Sequence, residues 1–349
     1  MVAVAALGLA LGMMAAGAAK AQITIPTVTV GDPGNANDST GYGAVSDIYN
    51  IGTYEVTLSQ YTAFLNAVAA TDTYNLYNTN MASDLNIAGI TRSGSSGSYT
   101  YAVTGPSGTN PPGADSPGNR PVTYVSWFDA ARFANWLANE QPTGPQGNGT
   151  TENGAYSLFG ATSGVGFTKN AINPNTGLTT TWWIPSENEW YKAAYYDPGP
   201  SGPVDDYWLY PTRSDSIPGN AIGAGANQAN YDEGDFAVTV SSSYSGSQNY
   251  LTDGGAFSGS GSYYGTFDQG GNVMEWNDAV IGSSRVLRGG AWSFDDSILI
   301  SSFRTYIAPT SENNGVGFRV ASVPEPSTAV LVLLGGGTYL LMRRRRVTI

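Results

Sequence analysis

The side chains that could carry chemistry in this 349-residue chain are carboxylates, amides, hydroxyls and arginines, because the sequence contains no cysteine and no histidine. Disulfides, thiolate catalysis and cysteine-type zinc sites are therefore excluded, together with the usual general base at neutral pH. Glu187 and Glu189 have the residue types of a glycosidase acid/base pair. Glu189 also fits the third position of a helix that starts after Ser186. We predict no catalytic residue.

The composition indicates an ordered, loop-rich protein with an acidic surface. Gly accounts for 45 residues, aromatic residues for 12% and charged residues for only 12%, and the formal net charge is -12. A disordered chain would have fewer aromatic and more charged residues. Negative charge disfavours nucleic acid and anionic lipid as partners and is compatible with hard cations. Solubility outside the cell explains the charge equally well.

Three segments have helix-start signals, and the helices that they predict would form the framework for the loops. Thr57 precedes a helical apolar pattern. Ser126 with Asp129, and Ser186 with Glu189, match the capping-box spacing. The spacing also predicts a short strand over 121–125 and loops over 71–119 and 141–180. Beyond residue 199 we expect only short β segments, so the pattern favours a single α+β domain.

The two ends of the chain indicate export. Residues 2–19 are almost wholly small and apolar, and Ala19-Lys20-Ala21 fits a signal-peptidase site, although no basic residue precedes the apolar stretch. At the other end, a Pro-Glu-Pro motif precedes a short apolar segment and four arginines. These residues are Pro324, Glu325, Pro326, Arg343, Arg344, Arg345 and Arg346. The apolar segment is short for a stable transmembrane helix, and the arginines would stay cytoplasmic.

This end resembles the PEP-CTERM sorting signal. The resemblance implies a bacterial protein that is exported, held transiently at the inner membrane by its C-terminal helix, and cut there by an exosortase-type sorting protease. Its destination would be the cell envelope or the extracellular space. Proteins with this signal usually accompany exopolysaccharide production. An ordinary C-terminal anchor would keep the same topology without processing.

Seven segments between the ends resemble the formylglycine-generating enzyme family, also called the sulfatase-modifying factor family. They lie, in order, at 54–66, 121–137, 182–194, 229–232, 265–276, 285–294 and 302–322. The resemblance implies a variant C-type-lectin-like α+β fold with little regular secondary structure. The predicted organisation is a signal peptide at 1–21, an N-terminal loop and strand at 22–44, the family domain at 45–322 and the sorting signal at 323–349.

The resemblance also bears on metals. The cysteine pair that holds copper in the family's enzymes falls here in the region of Ser293, Phe294 and Leu299, so we expect no copper. Related enzymes of the family bind iron through histidine, which this chain lacks, so we expect no iron either. A family calcium site would match Asn272 and Glu275, whose oxygens suit a hard ion. Turn capping and pairing with an arginine is the competing interpretation. A second family calcium site would match the following residues: Asn230, Tyr231 and Asp253.

We therefore expect an exported recognition domain without catalytic activity, which binds an exopolysaccharide or an envelope protein through its loops. Two alternatives stay open. One is an oxidoreductase of the formylglycine-generating type that acts on a protein or a small thiol. The other is a purely structural envelope protein. Basic residues are rare in this acidic chain. We therefore expect three arginines of the domain, Arg288, Arg304 and Arg319, to be buried salt-bridge partners.

Overall fold

Helices are confined to the first part of the domain in the structure, a computed structural model that describes residues 22–324. They are α1 (Leu58–Val68), α2 (Asn80–Ser83), α3 (Trp127–Ala138) and α4 (Glu187–Tyr195). A single 3₁₀ turn at Asp296–Ile298 is the only helical element described after α4.

The three longer helices begin where the sequence predicts. Thr57, Ser126 and Ser186 each accept a hydrogen bond from the backbone N–H three residues later, and the side chain at that position bonds back to the cap N–H. These reciprocal bonds pair N–H groups that a helix start otherwise leaves free. All three predicted caps are confirmed.

The strands are short and form three sheets. They are β1 (Thr27–Val30), β2 (Tyr49–Gly52), β3 (Ile90–Ser93), β4 (Thr100–Val103), β5 (Trp182–Trp183), β6 (Met274–Ile281), β7 (Ser284–Arg288), β8 (Thr305–Ile307), β9 (Val316–Phe318) and β10 (Ala321–Ser322). One sheet has the order β1-β2-β10-β5, β3 and β4 form a hairpin, and the third has the order β8-β7-β6-β9. Strands β6 and β9 are parallel, whereas all other pairs are antiparallel.

Aromatic side chains fill the core between α1, α3 and β9. The ring of Phe133 on α3 lies 5.3 Å from Phe64 on α1 and 5.4 Å from Phe318 on β9, both edge to face. Trp136 packs 5.3 Å from Phe64. Such pairs contribute about 1 kcal/mol each beyond the area they bury. The core thus joins the two predicted helices to a strand at the far end of the chain.

Two local predictions were wrong. Residues 121–125 form no strand, because Tyr124 has a left-handed φ of 55° and only Pro121 makes a β-bridge, to Thr57. Residues 71–119 contain α2 and the β3–β4 hairpin rather than loop alone. The hairpin is stabilised from outside its own sequence, since the amide of Asn66 on α1 bonds both backbone groups of Tyr101.

Candidate functional site

A cavity of about 390 Å³ opens beside the β6–β9 sheet. Its walls are mainly apolar and include Met274, Leu287, Phe294, Phe303 and Ile307. None of the residues that line it is ionisable. The cavity therefore suits an apolar ligand group and has no acid or base to activate one.

The chain reaches this cavity through a tight turn after β7. Gly289 and Gly290 have φ values of 102° and 78°, and a Cβ on Gly289 would lie 2.7 Å from the carbonyl oxygen of Gln269. The turn continues to Trp292, whose N–H donates to the carbonyl of Asn272 at 3.0 Å. Glycine at both positions thus lets residues 291–294 lie against the sheet.

The three residues of the predicted cysteine region, Ser293, Phe294 and Leu299, lie in two different places. Ser293 and Phe294 line the cavity, and 45% of Phe294 is exposed. Leu299 is fully buried in another cluster, with Tyr210 and Tyr231. The position where the resemblance implies a metal-binding thiol pair therefore contains a phenyl ring at the cavity and an aliphatic side chain away from it.

The three arginines named from the sequence all form ion pairs, and Arg288 and Arg319 are buried as expected, whereas the Arg304 side chain is 27% exposed. Both oxygens of Glu187 are bonded by arginines, Oε1 by Arg288 Nε at 2.8 Å and Oε2 by Arg304 NH2 at 2.6 Å. Glu189 Oε2 accepts from the Ser186 N–H at 2.7 Å. Neither carboxylate is free to act as a glycosidase acid or base.

The side-chain oxygens of Glu275 and Asn272 are already hydrogen-bonded within the protein. The two oxygens of Glu275 accept from Arg319 at 2.6 and 2.7 Å, and Trp190 Nε1 adds a third bond at 2.8 Å. Asn272 Oδ1 accepts from Asn230 Nδ2 and from the N–H of Thr252, at 3.0 and 3.1 Å. Protein donors thus satisfy these oxygens, and the set does not fit a calcium ion as arranged.

The residues of the second predicted calcium site have different neighbours and do not face one another. Asn230 lies beside Asn272, but the carbonyl of Tyr231 faces the amide of Asn220 at 3.5 Å. Asp253 lies near Arg120, with Oδ1 3.9 Å from its Nε, and its Oδ2 accepts from a backbone N–H at 3.2 Å. Within residues 22–324, no group of three acidic side chains is arranged to bind a metal. Calcium stays a prediction from the resemblance.

One buried group that the sequence reasoning missed is Glu55. It is 2% exposed, its Oε2 has no hydrogen-bond partner, and it lines a second cavity. Burial raises its pKa well above the usual range, and the nearby charges of Asp268 and Glu275 add to the rise. The charged groups that act on it, Asp268, Glu275 and Arg319, lie more than 200 residues downstream, so no local pattern signals them.

The residues predicted to direct export lie almost entirely outside the part of the chain that the structure describes. The structure covers Pro324, while the signal peptide at 1–21 and the sorting-signal residues from Glu325 to Arg346 lie outside the described residues. In the described part, no helix combines the length and the apolar character needed to cross a bilayer.

A protein family described as the sulfatase-modifying factor enzyme 1-like domain matches residues 20–323. No curated protein matches the chain. The mixture of short helices and small sheets in one domain agrees with the predicted variant C-type-lectin-like α+β fold.

Three similar solved structures have low sequence identity. Treponema denticola variable protein 1 is 18% identical, with 85% of this chain and 95% of that chain covered and a TM-score of 0.45. CarF is 19% identical, with 86% and 99% covered and a TM-score of 0.46. PvdO from Pseudomonas aeruginosa is 17% identical, with 86% and 92% covered and a TM-score of 0.40.

Proposed function

Since the chain belongs to the sulfatase-modifying factor enzyme 1-like domain family, we propose that it is an exported recognition domain without catalytic activity, which binds a protein segment. The observation that carries the proposal is the cavity beside Phe294. Ser293 and Phe294, from the region of the implied cysteine pair, line it, and its lining is mainly apolar and free of ionisable groups.

The shape of the site favours an extended protein segment. The cavity borders β8, the outer strand of its sheet, through Thr305 and Ile307. An outer strand offers unpaired backbone groups that a second chain can bond, while apolar side chains enter the adjacent cavity. The lining also has four polar residues, Ser293, Thr305, Asn313 and Asn314, whose side chains can bond the polar backbone of such a segment. We therefore favour an envelope protein as the partner of this cavity.

Export is the second part of the proposal. It is supported by the apolar residues 2–19 and by the Pro-Glu-Pro motif, apolar segment and arginine tail of residues 324–346. The chain would be anchored at the inner membrane and then released to the envelope by a sorting protease. Replacement of Pro324, Glu325 and Pro326 by alanine should leave the protein in the membrane fraction. Unchanged release would contradict the role of this motif.

Binding can be tested with a library of random hexapeptides displayed on phage and selected on the full chain in mild detergent. We expect enrichment of segments with aromatic and β-branched residues. Phe294→Ala should weaken the selected peptides about tenfold, because a buried aromatic contact is worth more than 1 kcal/mol. Phe159→Ala is the matched control, since Phe159 is 65% exposed and lies outside the cavity.

Three results would contradict the proposal. One is the absence of any enriched peptide, and another is equal loss of binding in both variants. The third is oxygen-dependent oxidation of a thiol substrate by the purified chain, which would favour the oxidoreductase alternative.

A further inference from the structure

Residues 236–250 form a neutral, hydroxyl-rich segment in an acidic protein. The chain has a formal net charge of -12, yet this segment contains no acidic or basic side chain and five serines. Residues 242–247 are all exposed. Tyr244 is the aromatic residue among them, and 60% of it is exposed. The segment therefore offers solvent a neutral polar surface with one aromatic ring at its centre.

The Tyr244 ring is the outermost of three stacked rings. It lies nearly parallel to the ring of Tyr250, with 5.9 Å between the centroids and 14° between the planes. Tyr250 lies in turn 4.8 Å from Trp292, with the two planes 4° apart. Tyr250 and Trp292 are buried. Because the stack lies against one face of Tyr244 and most of the residue is nevertheless exposed, the other face of its ring is open to solvent.

Asn86 holds this ring and the chain around it in place. Its Oδ1 accepts from the Tyr244 hydroxyl at 2.6 Å. Its Nδ2 donates to the carbonyls of Ser245 and Gln248, at 2.9 and 2.8 Å. Its own carbonyl accepts from the N–H of Tyr250 at 2.9 Å. The orientation of the Tyr244 ring is thus set before a ligand binds, so little side-chain entropy is lost on binding.

Serine hydroxyls lie on both sides of Tyr244 along the chain. Before it, Ser243 donates its N–H to Ser241 Oγ at 3.1 Å. Among the described residues, the hydroxyls of Ser242 and Ser243 have no protein hydrogen-bond partner. A hydroxyl can both donate and accept a hydrogen bond. The surface around the ring can therefore bond a ligand that is itself rich in hydroxyl groups.

We propose that this segment binds a neutral polysaccharide, one sugar ring of which stacks on the open face of Tyr244. The face of an aromatic ring carries partial negative charge, and the C–H bonds on the face of a pyranose carry the complementary positive charge. The hydroxyl groups of the sugar project from its edge, where the serine hydroxyls can bond them.

The charge of the protein decides against other ligands that stack on tyrosine. Nucleic-acid bases do so, but their phosphates need lysine or arginine, and residues 236–250 contain neither. An acidic polysaccharide would meet the same repulsion from the net negative charge. An apolar peptide would cover hydroxyl groups without giving them partners, which costs free energy.

This inference goes beyond the proposed peptide site. None of residues 236–250 lines the cavity beside Phe294. Trp292, at the base of the stack, directly precedes Ser293, which does line that cavity. The two sites are therefore neighbours that differ in residues and in ligand, and either proposal can fail while the other holds.

The test is biolayer interferometry of the immobilised full chain, kept in mild detergent, with soluble polysaccharides. Dextran, laminarin, mannan and galactomannan are the neutral probes, and polygalacturonate is the acidic comparison. We expect at least one neutral polysaccharide to bind and polygalacturonate to bind more weakly than it. Binding of none of the neutral polysaccharides, or tighter binding of polygalacturonate, would overturn the proposal.

Two variants of Tyr244 and a matched control complete the test. Tyr244→Ala should weaken the polysaccharide about fivefold or more, because the stacking surface is lost. Tyr244→Phe keeps the ring and loses only the bond to Asn86, so it should retain most of the affinity. Tyr263→Ala is the control, because Tyr263 is another exposed tyrosine, packed edge to face on Tyr264 outside the segment.

The variants also separate a sugar from a peptide at this ring. The melting temperature of each variant shows whether the domain is still folded. The proposal is wrong if Tyr244→Ala keeps full affinity for the polysaccharide, or if Tyr263→Ala loses as much. It is also wrong if Tyr244→Ala weakens only the peptides selected on phage, since the ring would then belong to the peptide site.

Discussion

Arg319 and Glu275 form a bidentate ion pair in which both side chains are fully buried. The guanidinium Nε and NH2 lie 2.6 and 2.7 Å from the two carboxylate oxygens. Glu275 belongs to β6, and Arg319 follows β9, its parallel neighbour. Arg319 also donates to the carbonyl of Gly52 on β2 at 2.8 Å. The pair therefore connects the two four-stranded sheets.

Removal of the arginine from this pair should strongly destabilise the fold. Arg319→Met leaves Glu275 buried without a cation, and we expect the free energy of unfolding to fall by about 3–5 kcal/mol. Urea denaturation followed by tryptophan fluorescence measures the change. Arg304→Met is the control, because Glu187 would keep its bond to Arg288 and Arg304 is partly exposed. A loss for Arg319→Met no larger than that of the control would contradict this prediction.

Gly271 is required for the close contact between two distant segments. Its φ is 83°, and a Cβ would lie 2.2 Å from the carbonyl oxygen of Asn230. That oxygen accepts the N–H of Asn272 at 2.7 Å. Gly271→Ala should cost about 3 kcal/mol or more, since it combines left-handed strain with a backbone clash.

Gly282 offers the matched comparison for Gly271. It has a φ of 57° and open space where a Cβ would lie. Gly282→Ala should therefore cost only the left-handed strain, about 1–2 kcal/mol. Thermal and urea unfolding of both variants would measure the difference. Equal losses at the two positions would show that the contact between Gly271 and Asn230 is not tight in solution.

Stability should fall as the pH rises from about 4 to about 7. Burial raises the pKa of Asp129 and of Asp278 to about 7, and desolvation raises that of Asp268 to about 6. A carboxyl group whose pKa is higher in the folded state binds its proton more tightly there. Its stabilising effect is complete below the unfolded pKa and is lost as the pH rises through the folded pKa.

Urea denaturation at a series of pH values across this window measures the slope. The rise of the Asp268 pKa from 3.8 to about 6 corresponds to about 3 kcal/mol. Asp268→Asn should therefore reduce the slope below pH ~6 and leave it unchanged above. Stability that increases from pH ~4 to pH ~7 would contradict the burial of these groups.

Melting curves in calcium and in a calcium chelator test separately whether Asn272 and Glu275 bind calcium. Because protein groups already satisfy their oxygens, the melting temperature should be the same in calcium and in chelator. A lower melting temperature in chelator would favour the calcium site implied by the family resemblance. It would also require Arg319 to leave Glu275 when the ion binds.

Local signals in the sequence predict the helices but not the cluster around Glu55. Thr57, Ser126 and Ser186 act through residues three positions away, so their spacing is sufficient evidence. Tyr124 shows the limit of such patterns, since its backbone is left-handed and its N–H donates to the carbonyl of the distant Asn313. Glu55 likewise acquires its properties only when distant parts of the chain meet.

Family membership indicates where a site lies, while individual side chains decide what it does. Ser293 and Phe294, in the region where the resemblance implies a cysteine pair, line a cavity. The resemblance does not reveal that Leu299 is buried elsewhere, because that depends on how the 3₁₀ turn directs the chain. The apolar character of the cavity follows from residues contributed by four strands and their loops.

The central claim, that this domain binds without catalysing an oxidation, is tested most directly by the copper and iron content of the purified full chain. The chain would first be incubated with each metal and then desalted before mass spectrometry. We predict well below one atom of either metal per chain, because the sequence offers no thiolate or imidazole ligand. One tightly held copper or iron per chain would contradict this account and support the oxidoreductase alternative.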